Sequence, residues 1–217
     1  MKIFVIDGTD GSGKETQARM LVERLNNMGI KTKYITFPNY DSDYCSLVKG
    51  YLSGEFGSTA NSVSPYAASL CYAMDRFAAY KTSDWEDYDV IIADRYVISN
   101  VIHQATKIDG IEERNAFVKW LYDTEYNKLG LPEPEVNFYL RVPPEISREL
   151  TKDRALKNGM KKDIHEADFE YMQKAYNRSV SLCSYLGCTF IECTANNKML
   201  TREEINDKLF NIIEGHI

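Results

Sequence analysis

One stretch limits what this chain can fold into more than any other. Residues 1–16 read MKIFVIDGTDGSGKET. The apolar run Lys2–Asp7 predicts a buried strand. It passes into Gly8-x-x-x-x-Gly13-Lys14 and then into Thr16–Asn27, where Met20, Leu21 and Leu25 fall at helical spacing. A strand, a glycine loop and a helix in that order gather backbone N–H groups and a helix N-terminus around one concavity, which is an anion site. Glycine lets the backbone approach a phosphate with no Cβ in the way, and Lys14 can reach β- and γ-phosphate oxygens. A plain strand-to-helix turn does not need the full spacing. Gly8, Thr9, Asp10, Gly11, Ser12, Gly13, Lys14, Glu15 and Thr16 are therefore the expected ATP-binding stretch.

Glu15 departs from that pattern, because the slot after the lysine usually carries a Ser or Thr hydroxyl that holds Mg²⁺. A carboxylate is also a hard oxygen ligand. Two readings stay open: Glu15 binds the metal, or it points to solvent while Thr16 or water serves the metal. Either way a negative side chain is expected outside the anion cradle.

The remaining pattern alternates strands with helices. Lys31–Phe37, Val90–Ala93, Val136–Val142 and Thr189–Cys193 read as further strands. Ser64–Ala79 and the stretches 98–107, 111–128, 144–158 and 166–186 read as helices. Thr201-x-x-Glu204 is a capping box that opens a last helix bearing Ile205, Leu209 and Ile212. This order predicts an α/β fold, a five-stranded parallel sheet wrapped by helices on both faces, with ligands at the carboxyl ends of the strands. No linker or low-complexity tract interrupts the 217 residues, so one domain spanning 1–217 is expected.

Val90-Ile-Ile-Ala-Asp94 puts a carboxylate at a strand tip, where a magnesium-water shell beside a phosphate loop finds its acidic partner, and Arg95 follows as a guanidinium able to grip phosphate. Glu15 and Asp94 are the candidate metal ligands that the residues themselves suggest. The net charge of −6 disfavours a nucleic-acid partner, no apolar run is long enough for a bilayer span, and the N-terminus lacks a signal-peptide pattern. The five cysteines form no CxxC pair and read as reduced thiols. A cytoplasmic protein is expected.

Phe37-Pro38-Asn39-Tyr40, Tyr72-Ala-Met-Asp75-Arg76, Asp94-Arg95-Tyr96-Val-Ile-Ser99-Asn100 and Lys162-Asp-Ile-His-Glu166 together resemble the thymidylate kinases, ATP:dTMP phosphotransferases, in order and separation along nearly the whole chain. The resemblance implies that the chain makes dTDP from dTMP and Mg·ATP, and that it is a homodimer. It implies that Tyr72 stacks on thymine, that Arg76 donates to a base carbonyl, and that Asn100 reads the base edge. It further implies that Phe37 lines the nucleoside pocket, Tyr40 lies near the monophosphate, Arg95 grips the acceptor phosphate, and Asp10 lies near the sugar 3′-hydroxyl and the metal. Tyr176 matches a tyrosine near the nucleoside. His103 is a departure, since some members carry Tyr near the sugar 2′ position.

The segment of about 145–166 is expected as a lid. Its stretch 148–162 concentrates six basic residues in an otherwise acidic chain. Because the loop's Asp10, Gly11 and Ser12 offer no arginine, the family resemblance places the catalytic arginine in the lid, at Arg154 first and Arg148 next, and Arg148 is also expected to bind ATP. Lys14, Arg95, Arg154 and Asp10 are thus the expected catalytic set. The rivals to a monophosphate kinase are a deoxynucleoside kinase, which needs a carboxylate base, and a nucleotide-dependent switch, which only Glu15 favours.

Overall fold

The structure is a computed structural model, which describes residues 1–57, 59, 62–150 and 169–217. Five strands form one parallel sheet: β1 (Lys2–Gly8), β2 (Thr32–Thr36), β3 (Val90–Asp94), β4 (Val136–Arg141) and β5 (Thr189–Glu192), in the order β2-β3-β1-β4-β5. The sheet is fully parallel because its strands are apolar on both faces and both faces are covered. On one face Ile3, Val5, Ile91, Ala93 and Tyr139 pack under Val97, Val101, Phe117, Leu121 and Cys183. On the other, Phe4, Ile6, Ile92, Phe138 and Leu140 pack under Ala18, Leu21, Leu25, Leu209 and Ile213.

The helices are α1 (Lys14–Asn27), α2 (Ser46–Ser53), α3 (Pro65–Thr82), α4 (Val97–Ala105), α5 (Ile111–Tyr122), α6 (described over 144–150), α7 (Phe169–Tyr185) and α8 (Arg202–Glu214) among the described residues. The Thr201 capping box is present, each partner accepting from the other's backbone N–H. Four features escape the sequence pattern. Helix α2 and the antiparallel pair β6 (Thr194–Ala195) and β7 (Lys198–Met199) were not anticipated. The helix expected over 111–128 stops at Tyr122, and Asp123–Lys128 form a π turn. The expected strand 31–37 shortens to Thr32–Thr36. All five cysteines are free thiols.

Chain order sets where a ligand can sit. From β1 the chain crosses to the edge strand β2, returns through β3 beside β1, and then continues on the other side at β4. The carboxyl ends of β1 and β3 lie next to this reversal, the position at which open α/β sheets bind ligands. The glycine loop and Asp94-Arg95 are both there, with Ile6 of β1 in register with Asp94 of β3.

Candidate active site

The loop between β1 and α1 is shaped by its glycines. Gly8 has φ 152°, and a Cβ there would meet Ser12 Oγ at 2.8 Å and the Leu140 carbonyl at 2.9 Å. Gly13 occupies the N-cap of α1 in the left-handed region, φ 88°, with no side chain capping the helix. The first amides of α1 are therefore open to an anion. Thr9 Oγ1 and Ser12 Oγ are buried around the same loop without hydrogen-bond partners.

Lys14 is buried, its Nζ donating to the carbonyls of Gly8 at 3.0 Å and Thr9 at 2.9 Å. Burial, and then the neighbouring Arg95 charge, push its pKa down to about 8. An ammonium held on carbonyl oxygens in a dry loop is ready to exchange them for phosphate oxygens, which solvate it better.

Arg95 follows β3 with φ 69°, a left-handed conformation uncommon for a side chain of this size. This backbone turn aims the guanidinium across the loop mouth. Nη2 donates to Asp10 Oδ1 at 2.6 Å, and Nη1 lies 3.1 Å from His103 Nε2. Burial pulls the Arg95 pKa down, but Asp7, Asp10 and Asp94 outweigh it and hold the guanidinium above its usual value. Asp10 is pushed up by the surrounding protein, yet Arg95 and Lys14 outweigh that and hold it below the usual carboxylate range. For His103, desolvation first and then the Arg95 charge push the pKa well below the usual histidine range, although the residue stays exposed at its outer side. A neutral His103 is thus the acceptor in the Arg95 contact. Beneath them Ser99 Oγ donates to Asp7, which also accepts from Gly8 N–H at 2.7 Å.

Asp94 is buried at the tip of β3, where Tyr34 reaches Oδ2 at 3.4 Å and Oδ1 has no partner. Burial pushes its pKa up against the opposing charges of Lys14 and Arg95. Among the described residues no three His, Cys, Asp or Glu side chains gather into a metal cage. An orphaned carboxylate oxygen beside a phosphate loop suits Mg²⁺ all the same, because that ion is held by one or two carboxylates plus substrate phosphates and water. Glu15 accepts from Arg19 Nε at 3.0 Å and is about half exposed, outside the cradle, while its charge still raises Asp94.

On α3, Tyr72 and Arg76 lie one turn apart. Tyr72 is half-buried, edge-on to Tyr51 at 6.0 Å between ring centroids, and Lys107 Nζ donates to the Tyr51 hydroxyl at 2.7 Å. Burial and then Tyr51 raise the Tyr72 hydroxyl pKa. Arg76 is not the open donor that the sequence suggested. It is 2% exposed and joined to the fully buried Glu125 by two hydrogen bonds, both 2.6 Å. Asn100 Nδ2 donates to Glu125 Oε1 at 3.2 Å and to the Ser69 carbonyl at 3.1 Å. Glu125 and Tyr51 were missed in the sequence. The signal for Glu125 was there: Phe117, Leu121 and Glu125 are four apart, so a carboxylate stands in the apolar stripe of the helix expected over 111–128 and needs a buried partner.

The remaining expected residues are less central. Phe37 is 4% exposed and packs against Trp85 and Tyr96, so it is core more than pocket lining. Tyr40 is exposed close to Arg95, and Asn39 N–H, beside it, donates to Asp75 at 2.9 Å. Tyr176 hydrogen-bonds the Arg141 side chain at the end of β4. Arg148 is half-buried on α6. Arg154, Glu166 and most of the expected lid lie outside the described residues. A groove of about 470 Å³ between α1 and α8, lined in part by Met20, Arg24 and Asp207, contains none of the candidate residues.

Three comparisons bear on this arrangement. The family model described as thymidylate kinase matches residues 6–205. A thymidylate kinase of Mycobacterium tuberculosis is 33% identical over 179 residues, covering 79% of this chain and 81% of the relative. A probable thymidylate kinase of Thermococcus kodakarensis is 26% identical over 217 residues, 97% of this chain and 96% of the relative. In fold, the chain resembles the solved thymidylate kinase of Candida albicans with a TM-score of 0.69 at 21% identity, over 99% of this chain and 92% of that one.

Proposed function

The chain belongs to the thymidylate kinase family, and from that premise we propose how its site works. It is an enzyme that transfers the γ-phosphate of ATP to dTMP, giving dTDP and ADP. Family membership does not favour a deoxynucleoside kinase or a switch.

The backbone amides of the glycine loop and the open N-terminus of α1 hold the donor's β- and γ-phosphates. Lys14 leaves the Gly8 and Thr9 carbonyls for the phosphate oxygens. Arg95 grips the dTMP phosphate, and Asp10 and His103 hold its guanidinium in line with the loop. An oxygen of that phosphate attacks the γ-phosphorus on the side away from ADP. The bond from the γ-phosphorus to the β–γ bridging oxygen breaks, and the electron pair leaves on ADP. No base is needed, because the attacking phosphate is already anionic, so acceleration comes from positioning and neutralised charge. Mg²⁺, when bound, would neutralise negative charge on the donor phosphates; Asp94, Asp10 and Glu15 are the residues that would hold it.

Tyr72 stacks on the base, with Arg76 and Asn100 at its edge and Tyr40 near the monophosphate. The observation that carries this reading is Arg95 lying between Asp10 of the loop and His103 of α4, a cation at the junction of donor and acceptor sites. A crystal grown with ADP and dTMP tests it. The donor phosphates belong on residues 8–16 and the acceptor phosphate on Arg95; a base turned away from Tyr72 contradicts it.

The chain works as one domain and as a homodimer. In support, α3 exposes Tyr66, Leu70 and Met74 at every fourth position, and Leu47 and Leu52 of α2 are also exposed. Helix α4 is core: all its residues but His103 are buried. Among the described residues no helix is long and apolar enough to cross a membrane. That finding and five free thiols support a cytoplasmic enzyme.

A further inference from the structure

The reading of the base site rests on Arg76 and Asn100, and neither stands alone. The π turn Asp123–Lys128 brings Glu125 into the core beneath them, fully buried. Glu125 Oε2 accepts from Arg76 Nε and Oε1 from Arg76 Nη2, each at 2.6 Å, so two of the three guanidinium nitrogens are committed. Nη1 is the one outside this pair.

The same carboxylate determines how the Asn100 amide faces. A side-chain amide has one donor end and one acceptor end, and its neighbours decide which way it turns. Asn100 meets Glu125 Oε1 at 3.2 Å and the Ser69 carbonyl at 3.1 Å, both pure acceptors. The NH₂ must face them, because the flipped amide would set oxygen against two oxygens. That leaves Asn100 Oδ1 on the other side, buried in a residue 4% exposed and without a partner. A buried acceptor left unpaired is unfavourable until a donor arrives.

We propose that Glu125 is a positioning residue for base selection: by holding Arg76 and turning Asn100 Oδ1 away from itself and the Ser69 carbonyl, it presents one donor and one acceptor that suit a pyrimidine carrying N3–H and a 4-carbonyl. Thymine and uracil offer that pair. Cytosine offers a bare N3 and a 4-amino group, so it meets acceptor with acceptor and donor with donor. The discrimination is therefore set one shell away from the base, by a group that does not touch it.

The inference depends on dTMP being the acceptor, and its test separates the two. Steady-state constants are measured for dTMP, dUMP and dCMP with the wild-type protein and with Glu125→Asp and Glu125→Gln. Aspartate keeps the charge but is too short to span Arg76 and Asn100 together. Glutamine keeps the length but offers an NH₂ where both neighbours donate. In the wild type, dCMP should be at least about 1,000-fold poorer than dTMP in kcat/KM, because the site's buried groups would go unpaired. In both variants KM for dTMP should rise by about tenfold or more while kcat falls far less, the mark of lost binding that ground and transition states share. The dTMP-to-dCMP ratio should shrink by a similar factor, while KM for ATP stays put.

A role in stability alone would lower the melting temperature and leave that ratio unchanged; such a result overturns the proposal. If neither variant folds, the wild-type panel decides, and dCMP used within tenfold of dTMP overturns it. A wild-type protein that makes no dTDP sinks the functional reading itself. One that makes dTDP with the ratio intact in both variants sinks only the role of Glu125.

Discussion

Arg95 Nη2 donates to Asp10 Oδ1 at 2.6 Å, tying the tip of β3 to the loop that follows β1. The bond joins the group expected to hold the acceptor phosphate to the loop expected to hold the donor. It is made entirely by the protein's own side chains. Pre-set geometry of this kind is what phosphoryl transfer needs, because little covalent work falls to the protein.

Replacing Arg95 with Lys tests that relationship. Lysine keeps the charge but cannot meet Asp10, His103 and a phosphate at once, since it lacks the planar fork. The variant should lose about 100-fold or more in kcat/KM for dTMP. ATP affinity, measured by calorimetry, should change little. An equal loss on both substrates would show that Arg95 serves the whole loop and not the acceptor.

Lys14 makes both stability and ATP binding depend on pH. Its pKa is about 8 in the folded protein, depressed by burial and by Arg95, against roughly 10.4 for an unfolded chain. Between these values the unfolded chain binds a proton that the native one lacks, so this group's contribution to stability rises with pH across that window. ATP binding has the opposite sign. Phosphate oxygens favour the ammonium, so binding above pH 8 takes up a proton, and affinity should fall by up to about tenfold per pH unit there. Calorimetry at pH 8.5 in buffers of different ionisation enthalpy should record net proton uptake. A dissociation constant flat from pH 7 to 9 would remove Lys14 from the donor site.

Leu21→Ala probes the packing that positions the loop. Leu21 is fully buried where α1 crosses the sheet. Its truncation should cost about 2–5 kcal/mol of stability, read as a clear drop in melting temperature. A drop of about 1 °C or less would mean that the α1 face is not part of the cooperative core.

Leu70→Glu places a charge in the exposed stripe of α3. Sedimentation should find the wild type as a dimer and this variant as a monomer. A dimer that survives the change puts the interface elsewhere.

How much of this was legible in the chain follows from where each signal lives. The sheet and loop were readable because their signals are local: unbroken apolar strands, glycines at fixed spacing, a Thr201-Glu204 box. Asp94-Arg95 was legible as a dipeptide, but its contacts with Asp10 and His103 needed the sheet order, since β3 lies beside β1 only after the chain crosses to β2. Arg76 shows the limit most clearly. Its spacing from Tyr72 was visible, while its partner Glu125 lies 49 residues on and enters the core through a π turn that periodicity reads as plain helix. Helix α2 was missed because the amphipathic signal of eight residues is short and flanked by turns.

Transfer to dTMP is tested most directly by ADP release from ATP in the presence of Mg²⁺ and a panel of acceptors: dTMP, dUMP, dCMP, thymidine and water alone. ADP should form in step with dTDP when dTMP is present, and little should form with thymidine or without an acceptor. Phosphorylation of thymidine with dTMP left untouched, or ADP release that ignores the acceptor, would contradict transfer to dTMP at this site.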